Sequence, residues 1–416
     1  MHGFSMGREL KICAVVLAYS LVGHAPRAQD TGPLHSAVTP VLLKTHPDDV
    51  NTRRGFERFY NADYDDAISD FEKEQKAHPD DPSTVNHLLE AVLVRELNNE
   101  GALESSLYMG TDFLHAEKPA IAPEVRAHIQ DLIGRSLSLS EQILRNKPDD
   151  ADALYAHGVA KALSATYQGL VEKSWFSALR SALGAYHDHQ RVLELSPDYN
   201  NAKLVVGVYN YIVATLPFYE KSVAFLFTIT GSKAKGIDLI RQAANAGGEA
   251  SVDAKAALSL FLAREQQYTE ALSLARELFR AYPRNLHFAL AEADLLRASG
   301  NLPEAIARYR NLVVLEQQKK FPRDAQLTRA AYSLGDTLRS EGNYAAAAEA
   351  FESAATMSEA DRTRAAKARL SAGQMYDLLK KRDAALNRYQ EVIAMAGDSA
   401  EAREARHLLR HPYHLQ

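Results

Sequence analysis

The sequence predicts an all-α protein built as a solenoid of antiparallel helix pairs. Three observations carry this: internal repetition, a proline step that recurs at helix boundaries, and the absence of any convincing strand-like alternation. The proline step stands at Pro47-Asp48-Asp49, Pro79-Asp80-Asp81, Pro148-Asp149-Asp150, Pro197-Asp198-Tyr199 and Pro283-Arg284-Asn285. Proline cannot continue the helix before it, and the Asp or Asn that follows can cap the next. An alanine precedes three of these prolines at one fixed distance, as Ala67/Pro79, Ala185/Pro197 and Ala271/Pro283. Segments such as Ala345 to Ala355 are rich in strong helix formers.

The carboxy-terminal third carries the fullest pattern. Ala331-x2-Leu334-Gly335-x2-Leu338 is followed by Ala347-x3-Phe351, and Ala372-Gly373-x2-Tyr376 by Ala385-x3-Tyr389. Leu258-Ser259-x2-Leu262 with Ala271-x3-Ala275, Ala293-x2-Leu296 with Ala305-x3-Tyr309, and Gly55 to Tyr64 with Ala67-x3-Phe71 belong to the same set. The intervening turns are Glu265 to Tyr268, Ser299 to Leu302 and Glu341 to Tyr344. From residue 47 onward the chain resembles the tetratricopeptide repeat family, whose template reads W-x2-L-G-x2-Y and then A-x3-F. The resemblance implies a right-handed superhelical solenoid, because a single helix pair cannot bury its apolar face without neighbours. A small residue at the eighth and twentieth repeat positions lets paired helices approach, and an aromatic at the twenty-fourth fills the space against the next repeat.

The interval from Ala271 to Ala305 equals the family period of about 34 residues. Those from Ala305 to Ala347 and from Ala347 to Ala385 are longer, and the larger excess falls around Gln317 to Pro322. The interval from Ala185 to Ala271 is longer than two periods, so the middle departs most from the template. The expected organisation is residues 1–28 a signal peptide, 29–46 a linker, 47–150 amino-terminal repeats, and 151–250 enlarged helix pairs with an aromatic insert. A carboxy-terminal array at 251–398 and a capping helix with tail at 399–416 complete it. Gly158 and Gly207 fall on first helices and Gly236 on a second.

Composition limits the chemistry. Of the 416 residues, 46% are hydrophobic and 24% charged, typical of folded chains, and the formal charge of −5 offers no basic footprint for nucleic acid. The single cysteine, Cys13, lies in an early apolar run, so disulfides, thiolate metal sites and a cysteine nucleophile are excluded beyond it. His187-Asp188-His189 is a poor metal site, because residues two apart on a helix diverge. Gly231 to Gly236 lacks the Lys-Ser/Thr of a phosphate loop, and Ser333 sits mid-helix rather than on a nucleophile elbow. No catalytic, cofactor or metal site is expected, and the chain reads as a non-enzyme.

Two candidate surfaces remain. In tetratricopeptide arrays the first helices line the concave face, and the resemblance implies partner binding there through His287, Asp294, Arg329, Tyr332, Asp336, Lys367, Ser371 and Gln374. The asparagines of a carboxylate clamp are absent. Arg329 and Lys367 occupy matching positions of adjacent repeats and form the expected pair for an acidic or carboxyl-bearing peptide. The alternative is an aromatic pocket of Tyr167, Trp175, Tyr209, Tyr211 and Phe218, suited to a small molecule or glycan. The expected function is an exported scaffold for a peptide or protein partner, with an envelope assembly or secretion component as a variant. No nucleic acid and no transmembrane span in the mature chain are expected, though envelope association remains compatible.

Export follows from Arg8 and Lys11 ahead of a short apolar run, Ile12 to Val22, well under the ~20 residues a membrane span needs. Small residues follow, and cleavage is placed after Ala28, which moves the charge from −5 to −7 by removing Arg8, Lys11, Arg27 and Glu9. The protein is therefore expected in the periplasm or medium with its mature chain starting near Gln29. Amino-terminal sequencing of protein recovered outside the cytoplasm checks this; an intact Met1 on cytosolic protein contradicts it.

Overall fold

A computed structural model describes residues 49–103, 118–215, 231–317, 329–358 and 361–415. The expected signal peptide, linker, Phe218 and the stretch 318–322 lie outside the described residues. Two compact units divide at His287/Phe288. Among the described residues the first holds five helix pairs: α1 (Val50–Tyr60) with α2 (Tyr64–Ala77), α3 (Pro82–Asn99) with α4 (Pro123–Asn146), α5 (Ala151–Thr166) with α6 (Trp175–Leu195), α7 (Ala202–Thr215) with α8 (Lys233–Asn245), and α9 (Ser251–Arg264) with α10 (Tyr268–Ala281). The division falls inside α11 (Leu286–Ala298), which is followed by α12 (Leu302–Gln317). The second unit continues with α13 (Arg329–Ser340) and α14 (Tyr344–Met357), α15 (Arg362–Leu378) and α16 (Arg382–Ala396), and α17 (Ala400–Leu408). Within each unit the helices pack in chain order, and no strand occurs among the described residues. Each unit is an all-α, tetratricopeptide-like stack of antiparallel helices, and the second ends in a capping helix.

The proline steps work as local chemistry requires. Asp49, Asp81 and Asp150, each placed just after its proline, accept backbone N–H bonds from Asn51 (2.7 Å), Ser83 (2.8 Å) and Ala153 (3.0 Å) at the starts of α1, α3 and α5. Asn285 does the same for His287 N–H at 3.0 Å. Each such cap satisfies a backbone donor with no intrahelical partner, worth about 1 kcal/mol.

Five turns inside pairs share one geometry, with a single residue in the left-handed region: Ala62 (φ 62°), Gln266 (60°), Gly300 (81°), Gly342 (75°) and Lys380 (58°). The next residue then donates back to the preceding helix, as Asp63 to Arg58 O, Asn343 to Leu338 O and Lys381 to Tyr376 O, each at 2.9 Å. This closes the helix end and reverses the chain within a short turn.

Close approach within a pair comes from a ring laid over a glycine. A methyl group on Gly55 would sit 2.5 Å from a Phe71 ring carbon, one on Gly335 2.7 Å from Phe351, and one on Gly373 2.6 Å from Tyr389. Glycine and ring are separated by the same length of chain in all three. The enlarged pairs keep the contact and change the spacing. Gly158 lies under His189 and Gly207 under Ile240, in each case with about twice as much chain between the partners. Around Gly158 and His189 the extra residues lengthen both helices as well as the connection, and the contact is kept. A methyl group on Gly207 would also sit 2.8 Å from the Gly236 carbonyl oxygen, so α7 and α8 approach backbone to backbone.

At the end of the chain, Ser399 caps α17, whose Ala405 and Leu408 pack with Ala385, Tyr389 and Val392. Asp377 accepts from Tyr389 Oη (2.8 Å), Arg382 (2.9 Å) and the Tyr413 N–H (2.8 Å), while Arg382 donates to the Leu408 and Leu409 carbonyls. One buried carboxylate thus locks the capping helix.

Gly335→Ala is expected to lower stability by roughly 1–3 kcal/mol, because the Phe351 ring must move to admit the methyl. Denaturant unfolding followed by circular dichroism checks it.

Candidate functional site

In the second unit, α13 carries 329, 332 and 336 and α15 carries 367, 371 and 374, each set at helical spacing that places it on one face. The structure brings three of these side chains into one patch. The Lys367 ammonium lies 4.9 Å from the Tyr332 ring centre, and Tyr332 Oη is 3.2 Å from Ser371 Oγ. Tyr332 also rests edge-on against Phe351 at 5.1 Å, so its ring is fixed from below. Lys367 is exposed and forms no ion pair among the described residues. Gln374 is half-buried beside this patch, and Asp336 is held by Arg339 at 2.9 Å.

Arg329 behaves differently from its expected role. It is 7% exposed, and its guanidinium pairs with Asp294, itself 9% exposed. Tyr309 Oη donates to the same carboxylate at 2.5 Å. Arg329 is therefore a buried cation that ties α13 to α11, and removing it leaves Asp294 uncompensated, a loss of about 3–5 kcal/mol. Lys367 alone of the expected pair faces solvent. His287 belongs to the first unit, where its Nε2 is 2.7 Å from Asn98 Oδ1.

The central aromatics are engaged by different neighbours. Tyr209 stacks on Tyr186 at 4.0 Å, Tyr211 stacks on Phe261 at 4.2 Å and donates to Glu265, and Tyr167 Oη meets Gln130 at 3.2 Å. All three tyrosines are buried, and Trp175 is half-buried at the start of α6. Of the histidine triplet, His187 is exposed and His189 fully buried. Among the described residues no group of three His, Cys, Asp or Glu side chains is placed to hold a metal.

The first unit contains a buried polar centre that sequence reasoning missed. Its last connection folds back on its first pair: Asn285 Nδ2 donates to Tyr60 O (2.8 Å), Arg284 pairs with Asp63, and the Tyr282 ring lies 4.8 Å from Tyr60. Inside this closure Glu74 accepts from Thr52 Oγ1 (2.6 Å) and meets His87 Nδ1 at 3.1 Å. Glu90, Glu249 and Asp253 are all buried around them. Burial opposes charge on His87, but Glu74, Glu249 and Glu90 outweigh it and raise its pKa to about 9. Burial and the Glu90 charge push Asp253 well above the usual carboxylate range, and its Oδ1 has no hydrogen-bond partner. The contributors run from residue 52 to 285, so no local motif announces them.

His189 shows the opposite shift. Burial holds its pKa down to about 4; Nδ1–H donates to Ala185 O (2.7 Å), and Nε2 has no partner.

No family model and no curated protein sequence matches this chain. Several solved structures are similar to it. A chain of the APC/C hetero-tetramer Cut9–Hcn1 has a TM-score of 0.45 and 13% identity over 87% of this chain and 55% of that one. This chain thus spans about 55% of the length of that relative. Human IFIT1, in a dimer with PPP-AAAA, has a TM-score of 0.39 and 12% identity over 98% of this chain and 86% of its own. Yeast Tom70 has a TM-score of 0.35 and 14% identity over 86% and 87%.

The two histidines set opposite pH limits. A folded pKa of about 9, above the unfolded ~6.5, makes the His87 contribution complete below pH 6.5 and lost as pH rises through 9. A folded pKa of about 4 makes the His189 contribution present above pH 6.5 and lost as pH falls through 4. His189→Phe, which keeps a ring over Gly158, is expected to lose about 3 kcal/mol less stability than the parent between pH 7 and pH 4. Unfolding curves at both pH values check it.

Proposed function

We propose that this protein is a non-enzymatic repeat scaffold that holds a peptide or protein partner on the α13/α15 face. The observation that carries the reading is the exposed Lys367 ammonium, unpaired with any carboxylate among the described residues and held over a fixed Tyr332 ring, with Ser371 and Gln374 beside it. Ser371 is buried and steadies Tyr332, whereas Lys367 is exposed, and its charge suits an extended peptide bearing a carboxylate. Helix pairs account for nearly all the described residues, which favours a scaffold over an enzyme. The net charge of −5 and the neighbouring Asp336 favour a protein over a nucleic acid. The charged start, short apolar run and Ala28 support action after export, in the periplasm or outside the cell.

A partner recovered by pull-down from an envelope extract supplies the test. Lys367→Ala is expected to weaken the complex about tenfold, ~1.4 kcal/mol, with stability changed by no more than about 0.5 kcal/mol. Titration calorimetry beside thermal melts checks both, and an unchanged affinity removes this face as the binding surface.

A further inference from the structure

The connection between α5 and α6 departs from the short turns elsewhere. It runs through a π-helical turn, Tyr167–Val171, then Glu172, Lys173 and Ser174. Its shape is held internally. Ser174 N–H donates to Gln168 O at 2.8 Å, Ser181 Oγ to Gln168 Oε1 at 3.0 Å, and Gln130 Nε2 reaches both Tyr167 Oη and Glu172 at 3.2 Å. Lys173 takes φ 55°, a conformation that lysine adopts at a cost, which again marks a fixed turn.

What this turn presents is amphipathic. Phe176 is 63% exposed, among the most exposed large apolar side chains described, and Trp175 beside it is half-buried. Three cations surround them. Lys173 Nζ lies 5.8 Å from the Trp175 ring centre, the Arg180 guanidinium 5.8 Å from that of Phe176, and Lys118 is near enough for its charge to act on Lys173. None of the three forms an ion pair among the described residues, and Glu172 is turned to Gln130. Burial and the Lys118 charge lower the Lys173 pKa, the signature of a cation short of a counter-charge.

We propose that Lys118, Lys173, Trp175, Phe176 and Arg180 form a docking surface for an anionic lipid bilayer. The cations fit headgroup phosphates, and the two aromatics fit the boundary between headgroup and acyl chain, where Trp and other amphipathic rings concentrate. A turn of fixed shape needs no shape-matched groove to use such a surface. The association is with the bilayer surface, through side chains that reach the interface. Among the described residues no helix is long and apolar enough to cross a membrane. This surface belongs to the first unit and does not depend on the partner assigned to the α13/α15 face.

The chain supplies its own reporter, because Trp175 is its single tryptophan. The full-length protein is titrated with vesicles of phosphatidylcholine alone or mixed in equal parts with phosphatidylglycerol, following tryptophan emission and co-sedimentation. A blue shift and sedimentation with the mixed vesicles only, weakened by salt, is expected. Lys173→Glu with Arg180→Glu lowers the bound fraction tenfold or more, and Phe176→Ser abolishes the shift, with melting curves as the folding control. An apolar segment elsewhere in the chain that binds lipid would not move Trp175 emission. No shift with mixed vesicles, an equal shift with phosphatidylcholine alone, or unchanged binding by the charge-reversed variant overturns the proposal. A shift produced by polyglutamate and not by vesicles overturns it in favour of an acidic protein partner.

Discussion

Two antiparallel helices come close enough to exclude water only where one of them offers almost no side chain beneath the other's ring. Among the described residues that contact is glycine under Phe, Tyr, His or Ile in α1/α2, α5/α6, α7/α8, α13/α14 and α15/α16. The constant separation of glycine and ring fixes the length of a minimal pair, and the left-handed residue of the intervening turn makes that length attainable. Where a pair is longer, the contact survives, and in α5/α6 the additional chain lengthens the helices as well as the connection. The α5/α6 connection and the start of α6 present exposed Phe176 and Arg180 beside half-buried Lys173 and Trp175.

The same stacking has different consequences in the two units. In the first, closure of the Tyr282–Asn285 segment on Tyr60 and Asn61 buries acids, a histidine and tyrosines drawn from several helix pairs and connections. Buried charge is costly, and it persists here because Glu74 and His87 compensate each other while Asp253 is driven toward its neutral form. In the second, the buried carboxylates Asp294 and Asp377 are each matched by an arginine and a tyrosine hydroxyl, and they serve as ties between helices. Lys367 escapes this pattern and stays in solvent.

Much of the fold was legible because it depends on local spacing. The caps at Asp49, Asp81, Asp150 and Asn285 and the turns at Gln266, Gly300 and Gly342 lie within one repeat, where pattern and geometry coincide. The repeat pattern sets Phe351 and Tyr389 against the next repeat, whereas each covers the glycine of its own pair. The site was legible only in part. Arg329 sits at a position that reads as solvent-facing, and its burial is decided by Asp294 in the preceding repeat. The polar centre joins residues from opposite ends of the first unit, as Tyr60 and Asn285 show, and depends on a closure that no single repeat encodes. The place of His189 over Gly158 was hidden for a related reason. Histidine is not the aromatic the template asks for, and the stretch between the two is about twice the template spacing.

A double-mutant cycle across that last pair tests the packing account where its spacing is least regular. If His189 is the ring that covers Gly158, Gly158→Ala costs roughly 1–3 kcal/mol in the parent and much less once His189→Ala has emptied the space, giving a coupling of at least about 1 kcal/mol. Additive effects of the two substitutions would mean that the rings do not set the approach of the helices, and the register assigned through the enlarged pairs would fail with it.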